Sequence, residues 1–162
     1  MKEIEMYFII DEYFTKFKDP FLMKNKETVN NIKHDRPFFY AFKDKKNPRI
    51  YWMVPVSSQY TKYKKIYDKK IEKYGHCETI VFGRVINTYA AFLIQNICPA
   101  TKKYLVEYLD SNNNSIRIDY DLAIEIEKNA NSVLIKENKG IKIVFPNIKD
   151  IYRKLEQELT QD

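Results

Sequence analysis

The stretch from residue 50 to residue 75 changes from a strand pattern to a helix pattern within a few positions: IYWMVPVSSQYTKYKKIYDKKIEKYG. Residues 50 to 56 are apolar, aromatic or β-branched apart from Pro55, which predicts a strand with the proline at its end or at an edge position. After Gln59, apolar side chains recur at steps of three and four up to Gly75, and this spacing predicts an amphipathic helix. The apolar positions are Tyr63, Ile66, Tyr67, Ile71 and Tyr74. A strand that leads directly into a helix is therefore expected at the centre of the fold.

Two serines, Ser57 and Ser58, lie between this strand and this helix, and they predict an anion-binding site. Either serine is a natural N-cap, and the start of a helix carries free backbone N–H groups and a partial positive charge that can bind a phosphate. Lysines at one-turn spacing form a basic stripe on the helix: Lys62, Lys65, Lys69 and Lys73. The alternative interpretation is that the serines only cap the helix and the lysines form an ordinary solvated face.

Positive charge is concentrated in the N-terminal part of the chain. Residues 1 to 75 contain 17 Lys and Arg against 10 Asp and Glu, and residues 76 to 162 contain 11 against 12, within a formal net charge of +6. A basic half beside a neutral half predicts a face that binds a polyanion, and lysines interleaved with tyrosines suit RNA better than a membrane surface. Alternatively, the lysines only keep the fold soluble.

Length and motif content limit the other possibilities. A chain of 162 residues suits one domain, and it has neither a long apolar run nor a signal-peptide pattern, so we expect a cytoplasmic protein. Cys77 and Cys98 are isolated and do not suggest a zinc site, and Asp119 and Asp121 are better explained as helix caps than as metal ligands. Glycine-rich phosphate loops and the common hydrolase motifs are missing, so no metal and no cofactor is predicted.

Further strands and helices are predicted on both sides of the central stretch. Four strands are separated only by the basic helix, which predicts an α+β fold with an antiparallel barrel or half-barrel. Predicted strands cover residues 3–10, 36–43, 79–86, 89–97 and 141–145, with a tight turn at residues 87–88. Predicted helices cover residues 11–17, 99–109, 119–139 and the segment after Asn147. Residues 18–35 are polar and predict a long surface loop or a short helix that helps to grip RNA.

Two long segments carry a resemblance to a known family: PFFYAFKDKKNPRIYWMVPVSSQYTKYKKIYDKKIEKYGHCETIVFG (37 to 83) and AAFLIQNICPATKKYL (90 to 105). They resemble the CptN branch of the ToxN/AbiQ toxins, the endoribonucleases of type III toxin–antitoxin systems. The likeness lies in the length and order of these blocks and not in a short invariant motif. It implies a compact β-barrel related to the MazF/Kid toxins with appended helices, metal-independent RNA cleavage, and inhibition by a folded repeat RNA.

One local motif departs from that family. ToxN-like members have a Thr-Ser-Pro-Lys type motif after the equivalent strand, whereas this chain has Ser57, Ser58, Gln59 and Tyr60, and its first lysine is Lys62. The two hydroxyl groups carry over by this resemblance, but the position of a catalytic lysine does not.

Cleavage of RNA without a metal uses the 2′-hydroxyl as nucleophile, and it needs a proton acceptor, a cationic or N–H cradle for the phosphorane and a proton donor. Ser57 and Ser58 would hydrogen-bond the non-bridging oxygens, while Lys62 or Lys64 would neutralise developing charge.

Proton transfer has weaker candidates. His34 and His76 could serve, although a lone histidine is more often incidental, and Tyr40 could act as a phenol donor or a base platform but is more simply a core tyrosine. The catalytic candidates are Ser57, Ser58, Lys62, His34 and Tyr40. The candidates for RNA binding are Lys43, Lys45, Lys46, Lys64, Lys65, Lys69, Lys73 and His76.

Three functions remain open at this stage. The first is an endoribonuclease toxin whose partners are cellular RNA substrates and a small structured antitoxin RNA, with toxin and RNA in a closed assembly of two or three copies each. The second is a catalytically inert RNA-binding module. The third is a protein-binding domain whose charge is only compositional.

Overall fold

The computed structural model describes residues 4–29 and 32–161, and for residues 26–29 and 32–34 only the backbone. The strands are β1 (Met6–Ile9), β2 (Lys26–Val29), β3 (Ile32–His34), β4 (Pro37–Lys43), β5 (Tyr51–Ser57), β6 (Ile80–Val85), β7 (Thr88–Leu93), β8 (Cys98–Ala100) and β9 (Leu105–Glu107). The α-helices are α1 (Asp11–Lys16), α2 (Tyr60–Tyr74), α3 (Tyr120–Asn138) and α4 (Ile148–Thr160).

The α+β class is confirmed, but the predicted closed barrel is wrong. Seven strands form one antiparallel sheet in the order β6-β7-β5-β4-β1-β9, and β8 pairs with the first half of β5. Within the described residues β6 and β9 lie at opposite edges and do not pair, so the sheet is open. β2 and β3 form a separate hairpin.

Strand β5 lies inside this sheet, so the edge position considered for Pro55 is also wrong. On one side β5 pairs with β4 over most of its length, from Lys43 opposite Tyr51 to Phe38 opposite Pro55. On its other side β5 pairs first with β8, from Tyr51 to Met53, and then with β7, where Val56 is opposite Phe92. Pro55 therefore occupies the point at which the neighbouring strand changes, where a proline disturbs the sheet least.

The helices cover the two faces of the sheet. On one face α3 packs against a core that includes Phe39, Val54 and Phe92. On the other face α1 and α4 pack against a second core that includes Phe38 and Met53. Helix α2 covers β6 and β7 on that same second side, with Tyr63, Ile80, Ala91 and Leu93 buried beneath it. Burial of these apolar side chains is the main stabilising term for the fold.

The sequence predicted most of the helical segments correctly. Helix α2 ends at Gly75, whose φ of 78° suits a left-handed C-terminal cap, and α3 ends before Gly140, whose φ is 88°. Helix α4 begins after Asn147, whose side chain accepts a hydrogen bond from the N–H of Asp150 at 3.2 Å. None of the helices in the described part of the chain is long and apolar enough to cross a membrane.

Two predicted elements are wrong. Residues 99–109 do not form a helix, because Pro99 lies in β8 opposite Trp52 and the chain continues through a short 3₁₀ turn into β9. Residues 141–145 do not form a strand. Their backbone N–H groups instead donate to the buried carboxylate of Glu137, from Ile143 and Val144, and to the carbonyl of Gln95.

Smaller differences concern the loops. The predicted polar loop at 18–35 contains the β2–β3 hairpin, although the strand signal there is weak. The turn between β6 and β7 is at Ile86 and Asn87, one position earlier than predicted, and Ile86 has a φ of 59°. The two cysteines are free, with Cys98 buried and Cys77 half-buried.

Candidate nucleic-acid interface

Ser57 is a buried residue at the end of β5, not the cap of α2. It lies opposite Ala91 of β7 and is only 2% exposed. Its Oγ accepts a hydrogen bond from the backbone N–H of Gln59 at 3.2 Å, which closes the turn between strand and helix. The Ser57 hydroxyl therefore stabilises the turn between β5 and α2 from its buried side.

Ser58 is exposed, and its position differs from the N-cap predicted for it. The carbonyl of Ser58 accepts the N–H of Tyr60 at 2.8 Å, and Gln59 is the N-cap residue, without a hydrogen bond from its side chain to the helix. The chain thus uses one more residue than predicted before it enters α2. Ser58 consequently lies exposed beside the helix start.

The N-terminal end of α2 keeps its positive electrostatic character. Its first turn contains no Asp or Glu. In the described structure, the N–H groups of Thr61 and Lys62 have no hydrogen-bond acceptor. Lys62 is exposed, with its Nζ 5.2 Å from the ring centroid of Tyr63. Free N–H groups, a helix dipole and a nearby ammonium together form a surface suited to a phosphate.

Arg36 is the residue of this site that the sequence analysis missed. Its side chain is buried, its Nη1 donates to the carbonyl of Val56 at 2.9 Å, and its Nε donates to the carbonyl of Lys24 at 3.1 Å. Its backbone N–H donates to Oδ1 of Asn25. Among the described residues it forms no ion pair, so the guanidinium is a buried charge next to the serine junction.

Burial lowers the pKa of Arg36 below its ordinary value, and the neighbouring Tyr63 acts in the opposite direction. A buried cation is costly unless an anion or several hydrogen bonds compensate it. Two carbonyls accept hydrogen bonds from the guanidinium here and compensate part of this cost. The only sequence signal for Arg36 was a basic residue at the start of a predicted strand, which does not reveal burial.

The predicted lysine stripe is present on α2. Lys62, Lys65, Lys69 and Lys73 are all exposed. Lys64 is engaged elsewhere, because its Nζ lies 2.8 Å from Asp68 and 4.9 Å from the ring centroid of Tyr67. The hydrogen bond to Asp68 raises the pKa of Lys64. Lys64 is therefore less available for RNA than the stripe.

The apolar stripe of α2 is shorter than predicted. Tyr63 is buried and Ile66 and Tyr67 pack against the same cluster, but Ile71 and Tyr74 are 37% and 59% exposed. Helix α2 therefore projects beyond the cluster in its last turns.

Lys43, Lys45 and Lys46 lie in the β4–β5 hairpin, at the opposite end of β5 from the serines. Tyr51 and Ser57 are six residues apart on an extended strand, which separates the two ends by about 20 Å. These lysines line a groove of about 670 Å³ against α3 and α4. The groove also contains Lys149 and Arg153, two further cations that the sequence analysis did not select.

The remaining candidates do not come together at the serine junction. Tyr40 is fully buried and packs edge-to-face on Tyr7 and Tyr51, which agrees with its simpler interpretation as a core tyrosine. His76 is exposed at the far end of α2, about 22 Å from its start, and its Nδ1 lies 3.0 Å from the carbonyl of Tyr74. The side chain of His34 lies outside the described residues.

In the described part of the chain, no group of three or more His, Cys, Asp or Glu side chains is arranged to hold a metal ion. The groups described at the serine junction are the hydroxyls of Ser57 and Ser58, the N–H groups of Thr61 and Lys62, and the cations of Lys62 and Arg36.

Comparison with known proteins gives matches in structure but not in sequence. No family model matches the chain, and no curated protein matches it. One matching structure is AbiQ, described as a lactococcal anti-phage endoribonuclease belonging to the type III toxin–antitoxin system, with a TM-score of 0.70 and 17% identity. The match covers 98% of this chain and 99% of AbiQ.

A second structure comes from a system described as a bacterial antiviral system regulated by a processed non-coding RNA. It has a TM-score of 0.66 and 10% identity, and the match covers 93% of this chain and 98% of the other. At these identities the shared property is the fold, over nearly the full length of each chain. This fold agrees with the ToxN/AbiQ resemblance of residues 37–105 and does not distinguish the CptN branch.

Proposed function

We propose that the chain is a metal-independent endoribonuclease toxin of a type III toxin–antitoxin system, of the CptN branch, and that its own processed repeat RNA inhibits it. The observation that carries this proposal is the concentration of donors at the β5–α2 junction. Ser58, Lys62 and two free N–H groups are exposed there, above the buried Arg36. The fold shared with AbiQ supports the same function.

In the proposed reaction the 2′-oxygen of RNA attacks the adjacent phosphorus. A base accepts the 2′-hydroxyl proton, the bond from phosphorus to the 5′-oxygen breaks, and an acid protonates the leaving oxygen. The products are a 2′,3′-cyclic phosphate and a 5′-hydroxyl. Negative charge builds on the non-bridging oxygens in the transition state, so preorganised donors and cations at those oxygens accelerate the step.

The residues of the junction have distinct roles in this proposal. Ser58 and the N–H groups of Thr61 and Lys62 donate hydrogen bonds to the non-bridging oxygens, and the Lys62 ammonium neutralises developing charge. Arg36 is a positioning residue. Its hydrogen bonds join the end of β5 at Val56 to the loop before β2 at Lys24, and its buried guanidinium adds positive charge next to the junction. Ser57 supports the turn. His34 is the histidine candidate for proton transfer, since His76 lies at the far end of α2.

The partner RNA requires more surface than the junction provides. The stripe residues Lys65, Lys69 and Lys73 and the hairpin residues Lys43, Lys45 and Lys46 would bind it. Because the hairpin groove lies about 20 Å from the serines, one structured RNA could contact two toxin copies by different faces. We therefore propose a closed cytoplasmic assembly of toxin and RNA, with two or three copies of each.

An RNA cleavage assay in EDTA tests the proposal. We expect the purified chain, freed of RNA, to cut single-stranded RNA and to leave 2′,3′-cyclic phosphate and 5′-hydroxyl ends. The matched control is Ser58→Ala, which removes one exposed hydroxyl. Binding of RNA without cleavage by the folded wild type would favour the inert RNA-binding module. Binding that does not weaken with salt would favour the protein-binding domain, because phosphate contacts are strongly salt-dependent.

A further inference from the structure

Three aromatic rings form a cluster where α2 begins and the β6–β7 hairpin passes beneath it. The ring centroid of Tyr60 lies 5.1 Å from that of Phe82 and 5.1 Å from that of Tyr89, and both pairs are edge-to-face. Tyr89 remains 48% exposed, while Tyr60 and Phe82 are half-buried. The cluster thus holds Tyr89 in place and still leaves much of this side chain open to solvent.

The sheet register places Tyr89 beside the serine junction. Ala91 of β7 is opposite Ser57, and Tyr89 lies two residues before Ala91 on the same strand. Residues two apart on a strand share a face and are separated by about 7 Å. Tyr89 and Ser57 therefore lie on the side of the sheet that α2 covers, with Tyr89 just beyond the helix start.

Charge on this surface is also suitable for RNA. Arg84 is directly opposite Tyr89 in the register of β6 and β7, so the two side chains share a face, and Arg84 is exposed. The first turn of α2 adds Lys62 and contributes no acidic residue. The packing of α2 on the hairpin accounts for the ring contact between Tyr60 and Phe82. It gives no reason for Tyr89 to stay exposed directly opposite Arg84.

We propose that Tyr89, supported by Tyr60 and flanked by Arg84, stacks on the base of a nucleotide next to the phosphate held at Ser58. This inference rests on the proposed RNA site and adds a base-binding subsite to it. Aromatic stacking is tolerant of base identity but follows the size of the π-surface, so the subsite favours a purine at that nucleotide. Arg84 contacts the phosphate on the far side of the same nucleotide.

Abasic substitution tests the subsite independently of catalysis. The probe is a short RNA that the wild type cleaves, made uncleavable by a single 2′-O-methyl group at the scissile nucleotide, with each flanking base removed in turn. We expect one abasic position to weaken wild-type binding about tenfold or more. The variant Tyr89→Leu keeps an apolar contact with Tyr60 and should bind the intact and abasic RNAs equally well. Tyr74→Leu, at the far end of α2, should behave as the wild type does.

The outcomes separate this inference from the proposed function. If the wild type cuts RNA but no abasic position near the scissile phosphate matters, or if Tyr89→Leu keeps the wild-type dependence, the base subsite is overturned and the nuclease remains. If the wild type neither binds nor cuts RNA, both are overturned. For Arg84→Gln, a fall of about 0.7 in the log–log salt slope supports the phosphate contact, and an unchanged slope contradicts it.

Discussion

Arg36 donates a hydrogen bond from Nη1 to the carbonyl oxygen of Val56 at 2.9 Å. Val56 directly precedes Ser57, so this bond holds a buried guanidinium beside the serine junction. The same side chain donates to the carbonyl of Lys24, so it joins the loop before β2 to the end of β5. This arrangement couples the positive charge of the site to the backbone that carries the serines.

Replacing Arg36 should separate its structural role from its electrostatic role. We expect Arg36→Met to lower the free energy of unfolding by about 1 to 3 kcal/mol, because the buried carbonyl of Val56 and the partly buried carbonyl of Lys24 lose their donor. We expect Arg36→Lys to keep the charge but not both hydrogen bonds, since an ammonium lacks the planar fork of a guanidinium. Denaturant unfolding and the cleavage rate per folded molecule check this. Equal cleavage rates for Arg36→Met and the wild type would show that Arg36 is structural only.

The two serines should respond differently to substitution by alanine. Ser57→Ala removes the partly buried acceptor of the Gln59 N–H and should cost about 1 kcal/mol of stability. Ser58→Ala alters an exposed side chain, so we expect stability to change by less than about 0.5 kcal/mol while cleavage falls about 100-fold. Thermal melting and single-turnover cleavage are the measurements. A Ser58→Ala enzyme with wild-type turnover would remove Ser58 from the site.

Lys62 and Lys73 form a matched pair at opposite ends of α2. We expect Lys62→Gln to slow cleavage of short RNA, because its ammonium lies at the proposed phosphate. Lys73→Gln should leave that rate unchanged and weaken only binding of the longer inhibitory RNA, with a fall in salt slope of about 0.7 to 0.9. Equal effects of the two substitutions on short substrates would contradict the placement of the site at the N-terminus of α2.

Trp52 should report binding of RNA at the hairpin groove. It is the single tryptophan, it lines the groove with Lys43, Lys45 and Lys46, and its Nε1 donates to Asp44 at 3.0 Å. We expect the repeat RNA to change Trp52 fluorescence and a short substrate bound about 20 Å away to leave it unchanged. Titrations of both RNAs check this, and replacing the three lysines by glutamine should abolish the signal. Light scattering of the complex tests the closed assembly, which a one-to-one particle at every concentration would exclude.

Gly83 should be essential for the packing of α3 on β6. A methyl group added at Gly83 would overlap the side chain of Leu122, so Gly83→Ala should cost about 1 to 3 kcal/mol of stability. The same substitution in a Leu122→Ala background should cost much less, because the overlapping atoms are gone. A double-mutant cycle by denaturant unfolding measures this coupling, and additive effects would contradict it.

Local sequence patterns were sufficient to predict the strands and the helix around the centre of the chain. Periodicity located β4, β5 and α2, Gly75 set the end of α2, and the charge distribution indicated a polyanion partner. These features depend on residues close together in the chain, and local patterns report them directly.

How these elements come together at the serine junction depends on tertiary packing. Ser57 became a buried support and Ser58 an exposed donor, because the last residue of a paired strand faces the core while the next one leaves the sheet. Residues 141–145 do not form the predicted strand, because the N–H groups of Ile143 and Val144 donate hydrogen bonds to the carboxylate of Glu137 in α3. Arg36 lies at the junction because of its hydrogen bond to Val56, and Tyr89 because of the register between β7 and β5. Such long-range contacts are fixed by packing and register, which sequence periodicity does not record.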